Sequence, residues 1–170
     1  MMSSKVPIGK DAPNKVNIFI EIPQGGQIKY ELNEETGELF VDRFLYTSMS
    51  YPFNYGFICG TKGEDGDPLD AIVISSMPVQ AGVILPSQPI GLLEMEDEEG
   101  IDTKIIAVPT PKIDPYFGNY KDVKELPEIL KNKIKHFFEH YKELEPGKWV
   151  KLKNWKSAND AREMIKKSMV

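Results

Sequence analysis

Short β-type segments separated by turn residues fill the first two-thirds of the chain, and this pattern limits the possible folds more than any other feature. Residues 16–22 alternate and are rich in branched side chains, and turns at 24–26 and 34–37 separate the next two segments, 28–32 and 39–45. Further short strands fit residues 55–59, 71–74, 90–95 and 103–108. Strands of this length and spacing predict a small closed β-barrel.

The last third of the chain changes to a helical period. Pro127 suits a first helical turn, and apolar residues then recur every three or four positions, at Leu126, Leu130, Ile134, Phe137 or Phe138, and Tyr141. Residues 145–147 end this helix, residues 149–152 can form a short strand, and Ser157 with Asp160 resembles a capping box that opens a second helix toward Met169. The sequence therefore predicts a β-rich α+β fold with packed C-terminal helices, in a single domain over residues 1–170.

Composition argues against a membrane-spanning protein and against a disulfide-bonded secreted protein. The chain has 170 residues, of which 41% are hydrophobic and 28% charged, as in ordinary soluble domains. Residues 71–93 form the longest uncharged stretch, but prolines, glycines and polar residues interrupt it, so no membrane helix is predicted. The single cysteine, Cys59, cannot form an internal disulfide, and residues 1–15 contain no apolar signal segment. We therefore expect a cytoplasmic protein.

Charge is divided unevenly along the chain. Residues 1–111 carry 7 Lys/Arg against 17 Asp/Glu, whereas residues 112–170 carry 14 against 9. The net charge of −5 and the pI of about 5.2 argue against a nucleic-acid binder. The acidic part is suited to binding cations.

One loop gathers three aspartates at positions i, i+2 and i+5. In the segment Asp65-Gly66-Asp67-Pro68-Leu69-Asp70, Gly66 permits a tight turn and Pro68 fixes one φ angle. Two carboxylates at about 4 Å repel by roughly 4 kcal/mol at an effective dielectric of about 20, so the cluster favours bound Mg²⁺ or Mn²⁺. A solvated turn is the alternative. An EF-hand is excluded, because its twelfth position would be Ser76.

Other segments repeat the pairing of acids with bases. The acidic cluster at 94–99 precedes Asp102 and Lys104, which on a strand would point to the same face. Lys29 and Glu31 likewise share one strand face, shortly after Glu21. Arg43 either pairs with an acid such as Asp42 or binds a phosphate. Tyrosines and a lysine add further donors, at Tyr51, Tyr55, Tyr141 and Lys142. Together these residues favour metal ions beside phosphates.

Two rival interpretations remain to be tested. Residues 136–140 spell H-x-x-E-H, a zinc-peptidase motif, but His136 and His140 are the only histidines and no third ligand stands out. A barrel with lysines at 148, 151, 153 and 156 beside Trp149 and Trp155 could bind single-stranded nucleic acid. The acidic clusters would repel such a strand.

The same residues resemble the soluble family I inorganic pyrophosphatases of the short bacterial type. The pattern Asp, small, Asp, Pro, apolar, Asp is matched by residues 65–70. The segments 28–31, 40–43, 51–56, 97–104 and 136–142 are also similar to family segments. The resemblance implies an OB-type five-stranded β-barrel, hydrolysis of pyrophosphate to two phosphates, and a homohexamer, a dimer of trimers, with His136 and His140 near a subunit contact.

The resemblance also implies a role for each site residue. Asp67 would be the general base. Metal ions would be held mainly by Asp65, Asp70 and Asp102, with Asp97 and Glu31 for additional ions and Glu21 behind them. The phosphates would contact Lys29, Arg43, Tyr55, Tyr141 and Lys142, with Lys104 and Tyr51 supporting the site. The expected cofactor is Mg²⁺, with Mn²⁺ or Zn²⁺ as substitutes, and the reaction is direct attack of a metal-activated water. No nucleic-acid or membrane partner is expected.

Overall fold

The chain forms nine strands and two α-helices in a computed structural model that describes residues 6–170. The strands are β1 (Val16–Ile22), β2 (Ile28–Asn33), β3 (Glu38–Phe44), β4 (Asn54–Ile58), β5 (Asp70–Val73), β6 (Ile84–Asp97), β7 (Gly100–Ile101), β8 (Lys104–Pro109) and β9 (Val150–Ser157). The helices are α1 (Glu128–His140) and α2 (Ala158–Ser168), and two short 3₁₀ turns, Phe117–Asn119 and Val123–Glu125, precede α1.

Five of the strands pair into a closed ring. β1 pairs with β4, β4 with β5, β5 with β8, β8 with β6, and β6 again with β1. Only the β5–β8 pair is parallel. Closure removes exposed sheet edges, and the interior is filled by branched side chains that were apparent in the sequence, among them Ile18, Ile20 and Ile105. The predicted OB-type barrel is confirmed.

Close approach of β4 to β1 depends on a glycine. A Cβ added at Gly56 would collide with the carbonyl of Phe19, and no neighbouring side chain could relieve a backbone clash. The close pairing of β4 with β1 therefore fixes the position of Tyr55, which precedes Gly56 on β4.

β2 and β3 form a separate two-stranded sheet outside the ring. Its inner face rests on the barrel through Leu32 and Leu39, which pack against Phe19 and Phe57. Its outer face leaves Phe40 and Phe44 more than half exposed. A two-stranded hairpin is marginal in water, so these contacts with the barrel fix its position.

Two strands are longer than the sequence predicted. β6 begins at Ile84 rather than 90, because its first half pairs with β1 and its second half with β9, with an irregularity between Pro89 and Gly91. β9 continues to Ser157 rather than 152, since Leu152 and Trp155 pack on the main core.

The helices lie close to their predicted positions. α1 starts one residue after Pro127 and buries Ile134, Phe137 and Phe138. α2 begins with the predicted capping box, in which Ser157 accepts from the N–H of Asp160 and Asp160 accepts from that of Ser157. Neither α1 nor α2, nor any other helix within residues 6–170, has the length and apolar composition needed to cross a bilayer.

Candidate active site

The aspartate loop adopts the tight turn that its sequence predicts. Gly66 has a φ of +90°, and the N–H of Asp67 donates to Asp65 Oδ1 at 3.0 Å. Thr61 fixes the base of the loop, because its hydroxyl donates to the carbonyl of Ile58 and accepts from the N–H of Leu69. Asp70 then begins β5. One short loop at the edge of the barrel, ending at the first residue of β5, thus carries all three carboxylates.

A buried lysine organises the acids behind this loop. The Lys104 ammonium, with only 3% of the residue exposed, donates at 2.8 Å to Asp70 Oδ2, Asp102 Oδ1 and the Tyr55 hydroxyl. These contacts use all three of its donors. Burial alone would lower the pKa of Lys104, but Asp70, Tyr55 and Asp102 outweigh it and hold that pKa well above its ordinary value.

Asp102 does not lie on the same strand as Lys104. It sits between β7 and β8, where its backbone N–H donates to the carbonyl of Met95. The predicted shared strand face is therefore wrong, but the predicted meeting of the two charges is confirmed by their 2.8 Å contact.

The β2–β3 hairpin supplies the opposite side. Lys29 and Arg43 are cross-strand partners, and Glu31 follows two residues after Lys29. Both cations approach Asp42: Lys29 Nζ lies 3.7 Å from its carboxylate, and Arg43 Nη1 contacts it directly. Glu21 on β1 accepts at 2.9 Å from the N–H of Leu32, which ties the hairpin to the barrel.

Aromatic rings form a packed layer beneath the charged groups. Tyr51 is buried against Phe137, Tyr55 and Tyr141, with ring centroids 4.5, 5.4 and 6.4 Å away. Burial raises the pKa of each of the three tyrosine hydroxyls, so they remain protonated donors at neutral pH. α1 positions this layer, since Phe137 lies on its buried face and Tyr141 is its C-terminal cap.

The segment after α1 brings two more lysines to the acids that end β6. Lys142 Nζ lies 2.9 Å from Asp97 and 3.2 Å from Glu98. Lys148 Nζ lies 3.1 Å from Glu98. Burial opposes ionisation of Glu98, but its own backbone N–H and these two lysines lower its pKa to about 2.

The charged side chains and the three tyrosines described above line one pocket of about 420 Å³. Every predicted site residue lines it: Glu21, Lys29, Glu31, Arg43, Tyr51, Tyr55, Asp65, Asp67, Asp70, Asp97, Asp102, Lys104, Tyr141 and Lys142. The chain therefore brings together residues from seven places in the sequence around a single cavity.

The pocket is strongly acidic. Eleven acidic and five basic side chains line it. Partial desolvation raises the pKa of Asp67, and the carboxylates of Asp65 and Asp70 raise it further. Burial likewise raises the pKa of Asp102, and it raises that of Glu21 to about 7 although the N–H of Leu32 acts in the opposite direction. Such an array is relieved by bound cations.

The donors fit hard divalent cations. They are carboxylate oxygens, the ligands that Mg²⁺ prefers, and an ammonium already bridges Asp70 and Asp102. Within residues 6–170 no three His, Cys, Asp or Glu side chains are already gathered into one ligand set. Mg²⁺ does not require such a set, because it keeps several waters and is bound by one or two carboxylates together with substrate phosphates.

Sequence reasoning missed several charged residues of the pocket. These are Glu34, Asp42, Glu98, Glu99 and Lys148, which also line it. The acidic run at 94–99 gave a signal for Glu98 and Glu99, and Lys148 lies six residues after Lys142 in the same connection. Each of these charges also fits a solvated turn, so the sequence alone does not assign it to the site.

The rival interpretations gain no support from the geometry. Lysines on β9 pair with acids on β6, with Lys153 2.9 Å from Glu96 and Lys156 3.7 Å from Glu94, so this edge is largely neutralised. His140 contacts Glu143 at 2.8 Å, and its ring centroid lies 4.9 Å from that of His136 with the two rings tilted by 54°. The two histidines find no third metal ligand in the part of the chain that the structure describes.

The chain is similar to known proteins over nearly its whole length. A family model described as inorganic pyrophosphatase matches residues 18–170. An inorganic pyrophosphatase of Aquifex pyrophilus is 60% identical over 96% of this chain and 93% of its own length. One from Aeropyrum pernix is 56% identical over 97% and 94%. A solved inorganic pyrophosphatase structure from Helicobacter pylori superposes with a TM-score of 0.92 at 46% identity, covering 96% of each chain.

Proposed function

The chain belongs to the inorganic pyrophosphatase family and hydrolyses pyrophosphate to two orthophosphates, and on that premise we propose how its pocket carries out the reaction. The observation that carries the proposal is the meeting of carboxylates and cationic donors in one open pocket. Pyrophosphate needs both: cations to neutralise its charge, and donors to receive the charge that moves onto the leaving phosphate.

Members of this family depend on metal ions, generally Mg²⁺, and we assign the principal metal ligands here to the barrel side of the pocket. Asp65, Asp70 and Asp102 would be the principal ligands. Asp97 and Glu31 would bind additional ions, and Glu21 would support them from behind. Bound Mg²⁺, with Mn²⁺ or Zn²⁺ as substitutes, would screen the substrate and lower the pKa of the attacking water.

Asp67 is assigned as the general base. Its side chain lines the pocket together with those of Asp65 and Asp70, on a loop that Gly66 and Thr61 hold in place. A carboxylate there can accept the proton of a water that attacks phosphorus directly. No covalent intermediate is needed, because the reaction is one of positioning and charge stabilisation.

The phosphate groups are assigned to cationic and hydroxyl donors around the pocket. Lys29 and Arg43 approach from the hairpin, while Tyr55, Tyr141 and Lys142 approach from the aromatic layer and the segment after α1. Lys104 and Tyr51 hold these groups in position, since the ammonium of Lys104 is fully engaged with Asp70, Asp102 and Tyr55.

The first experiment measures phosphate release from pyrophosphate with Mg²⁺ titrated from zero, with ATP and a phosphomonoester as control substrates. We expect fast release from pyrophosphate alone and only with the metal. The D70N variant should shift the Mg²⁺ dependence to higher concentration before it changes the maximal rate. A normal Mg²⁺ titration in D70N would remove Asp70 from the ligand set.

We further propose a homohexamer, a dimer of trimers, in which the outer face of α1 lies near a subunit contact. That face carries His136 and His140, and Ile129 on the same helix is 61% exposed. An exposed apolar side chain on the helix that carries both histidines suits a buried contact. Sedimentation velocity at pH 7.5 tests the assembly, and a monomer at micromolar concentration would contradict it.

The cytoplasm is the proposed location, because the only cysteine, Cys59, is free and buried. Pyrophosphate is the proposed partner, and we propose no nucleic-acid or membrane partner. Salt-dependent binding of the protein to single-stranded oligonucleotides would contradict the absence of a nucleic-acid partner.

A further inference from the structure

A buried acid in the segment after α1 has no part in the roles assigned above. Glu145 is only 7% exposed, and its Oε1 lies 3.0 Å from Nε of Arg43. Its backbone N–H donates to the carbonyl of Lys142, and its carbonyl accepts from the N–H of Lys148. Glu145 thus belongs to the segment that carries two pocket lysines, while its side chain reaches across to the hairpin.

The ion pair between Glu145 and Arg43 lacks the hydrogen bonds that a purely structural ion pair would be expected to make. Although Arg43 Nε lies within ion-pair distance, it forms no hydrogen bond of good geometry, and Glu145 Oε2 is buried without a hydrogen-bond partner. A buried charge with unmet hydrogen bonds is costly, and apolar residues of similar size are often at least as stable. Stability alone therefore does not account for this acid.

The contacts of Arg43 do suggest a reason. Asp42 approaches its Nη1 and Glu145 its Nε, so two acids from different elements contact different nitrogens of one guanidinium. Burial acts to lower the pKa of Arg43, but Glu145 and Asp42 outweigh it and raise that pKa. An ion pair at Nε restricts the rotamers of this long flexible side chain, which lines the pocket.

We propose that Glu145 is a positioning residue that acts through Arg43, holding the guanidinium in the orientation that meets a phosphate of pyrophosphate. The inference rests on the proposed role of Arg43 in phosphate binding. It adds that the hairpin and the segment after α1 are joined across the pocket by this pair, so both must be in place before Arg43 is aligned. Correct alignment of a charged donor is worth far more than its mere presence.

A double-mutant cycle tests the proposal. The full-length enzyme is compared with E145Q, R43A and E145Q/R43A by kcat/KM for pyrophosphate at saturating Mg²⁺. We expect R43A to lower kcat/KM by at least about tenfold and E145Q alone to lower it by about tenfold. In the R43A background, E145Q should change kcat/KM by less than about twofold, because a residue that acts through Arg43 has nothing left to position.

A matched control separates positioning from general destabilisation. Asp114 is as buried as Glu145 and lies outside the pocket, where it accepts from the N–H groups of Ser76, Tyr116 and Phe117. D114N should lower the unfolding midpoint while changing kcat/KM by the same small factor in both backgrounds. Circular dichroism confirms that each variant is folded at the assay temperature. If E145Q is not, E145D takes its place in the cycle.

The outcomes distinguish the two proposals. If R43A leaves kcat/KM unchanged, the phosphate-binding role of Arg43 fails, and the role of Glu145 fails with it. If R43A lowers kcat/KM but the Glu145 variant has equal effects in both backgrounds, only the positioning role is overturned. The same holds if E145Q alone leaves kcat/KM unchanged.

Discussion

The two sides of the pocket hold the same kind of side chain very differently. On the barrel wall, by which we mean the loop at 63–69 with β4, β5 and β8, Lys104 is 3% exposed and donates to three acceptors at 2.8 Å. On the hairpin wall, formed by β2 and β3, the side chain of Lys29 is 29% exposed and its Nζ is 3.7 Å from Asp42. One lysine is locked by its surroundings and the other remains available to a ligand.

The difference follows from how each wall is built. The barrel wall belongs to a closed ring, so each of its strands is paired on both sides. The hairpin wall is a two-stranded sheet that depends on Leu32, Leu39 and Glu21 for its attachment to the barrel. We infer that the barrel wall fixes the geometry of the reacting groups, whereas the hairpin wall delivers donors to the substrate.

The largest effect should come from the barrel wall. D67N removes the proposed base while keeping the size of the side chain, and kcat should fall by about 10²- to 10⁴-fold with the fold intact. Phosphate release and circular dichroism measure the two quantities. On the hairpin wall, K29M should lower kcat/KM by only about tenfold, because it removes one phosphate donor of several. A greater loss of kcat/KM in K29M than in D67N would mean that the hairpin wall contributes more to catalysis than the barrel wall.

Exchanging lysine for methionine on each wall compares their stability directly. K104M leaves Asp70, Asp102 and the Tyr55 hydroxyl without their shared donor. The side chains of Asp70 and Asp102 are 34% and 24% exposed, so water can partly replace that donor, and the free energy of unfolding should fall by about 2–3 kcal/mol. K29M breaks only a long and partly exposed ion pair, so the change should stay within about 1 kcal/mol. Urea denaturation measures both. Equal losses of unfolding free energy in K104M and K29M would mean that the two lysines contribute equally to stability, and the contrast between the walls would fail.

The barrel wall was also the easier one to predict from the sequence. The loop at 65–70 is a local motif, since Gly66 and Pro68 constrain the turn and the three carboxylates lie within six residues. Ser157 and Asp160 likewise signalled the start of α2 because a capping box lies within four residues. Such features are readable because neighbours in sequence are neighbours in space.

Contacts between distant segments could not be predicted in this way. Nothing near Arg43 indicates Glu145, which is brought to it only after α1 has packed on the barrel. Prolines at 86 and 89 concealed the first half of β6, yet pairing with β1 makes it a strand. Hydrophobic periodicity reports which face is buried and not which partner covers it.

Loosening the hairpin should produce a moderate and local effect. L39A removes part of the apolar contact with Phe19 and Phe57, and because Leu39 is only half-buried the loss should be about 1–2 kcal/mol. Hydrogen exchange should speed up across β2 and β3 while β4 and β5 stay protected. Faster exchange in β5 to the same degree would mean that the two walls open together and are one cooperative unit.

The smallest effect should arise at the far end of the barrel wall, where β5 leads into the contact of Ser76 with Asp114. Burial acts to raise the pKa of Asp114, but N–H and O–H donors from Ser76 and the N–H groups of Phe117 and Tyr116 outweigh it and hold that pKa below its ordinary value of 3.8. Because the folded-state pKa is the lower one, the carboxylate contributes stability above about pH 4 that is lost as the pH falls through the folded-state value.

D114N should therefore lower the free energy of unfolding by about 1 kcal/mol at pH 7. The difference in that free energy between D114N and the parent protein, measured by urea denaturation, should narrow below about pH 4. Activity should be nearly unchanged, since Asp70 at the near end of β5 is held separately by Lys104. A loss of kcat/KM in D114N as large as that in K29M would mean instead that the two ends of this strand are coupled, and that the geometry of the barrel wall at the site depends on its distant anchor.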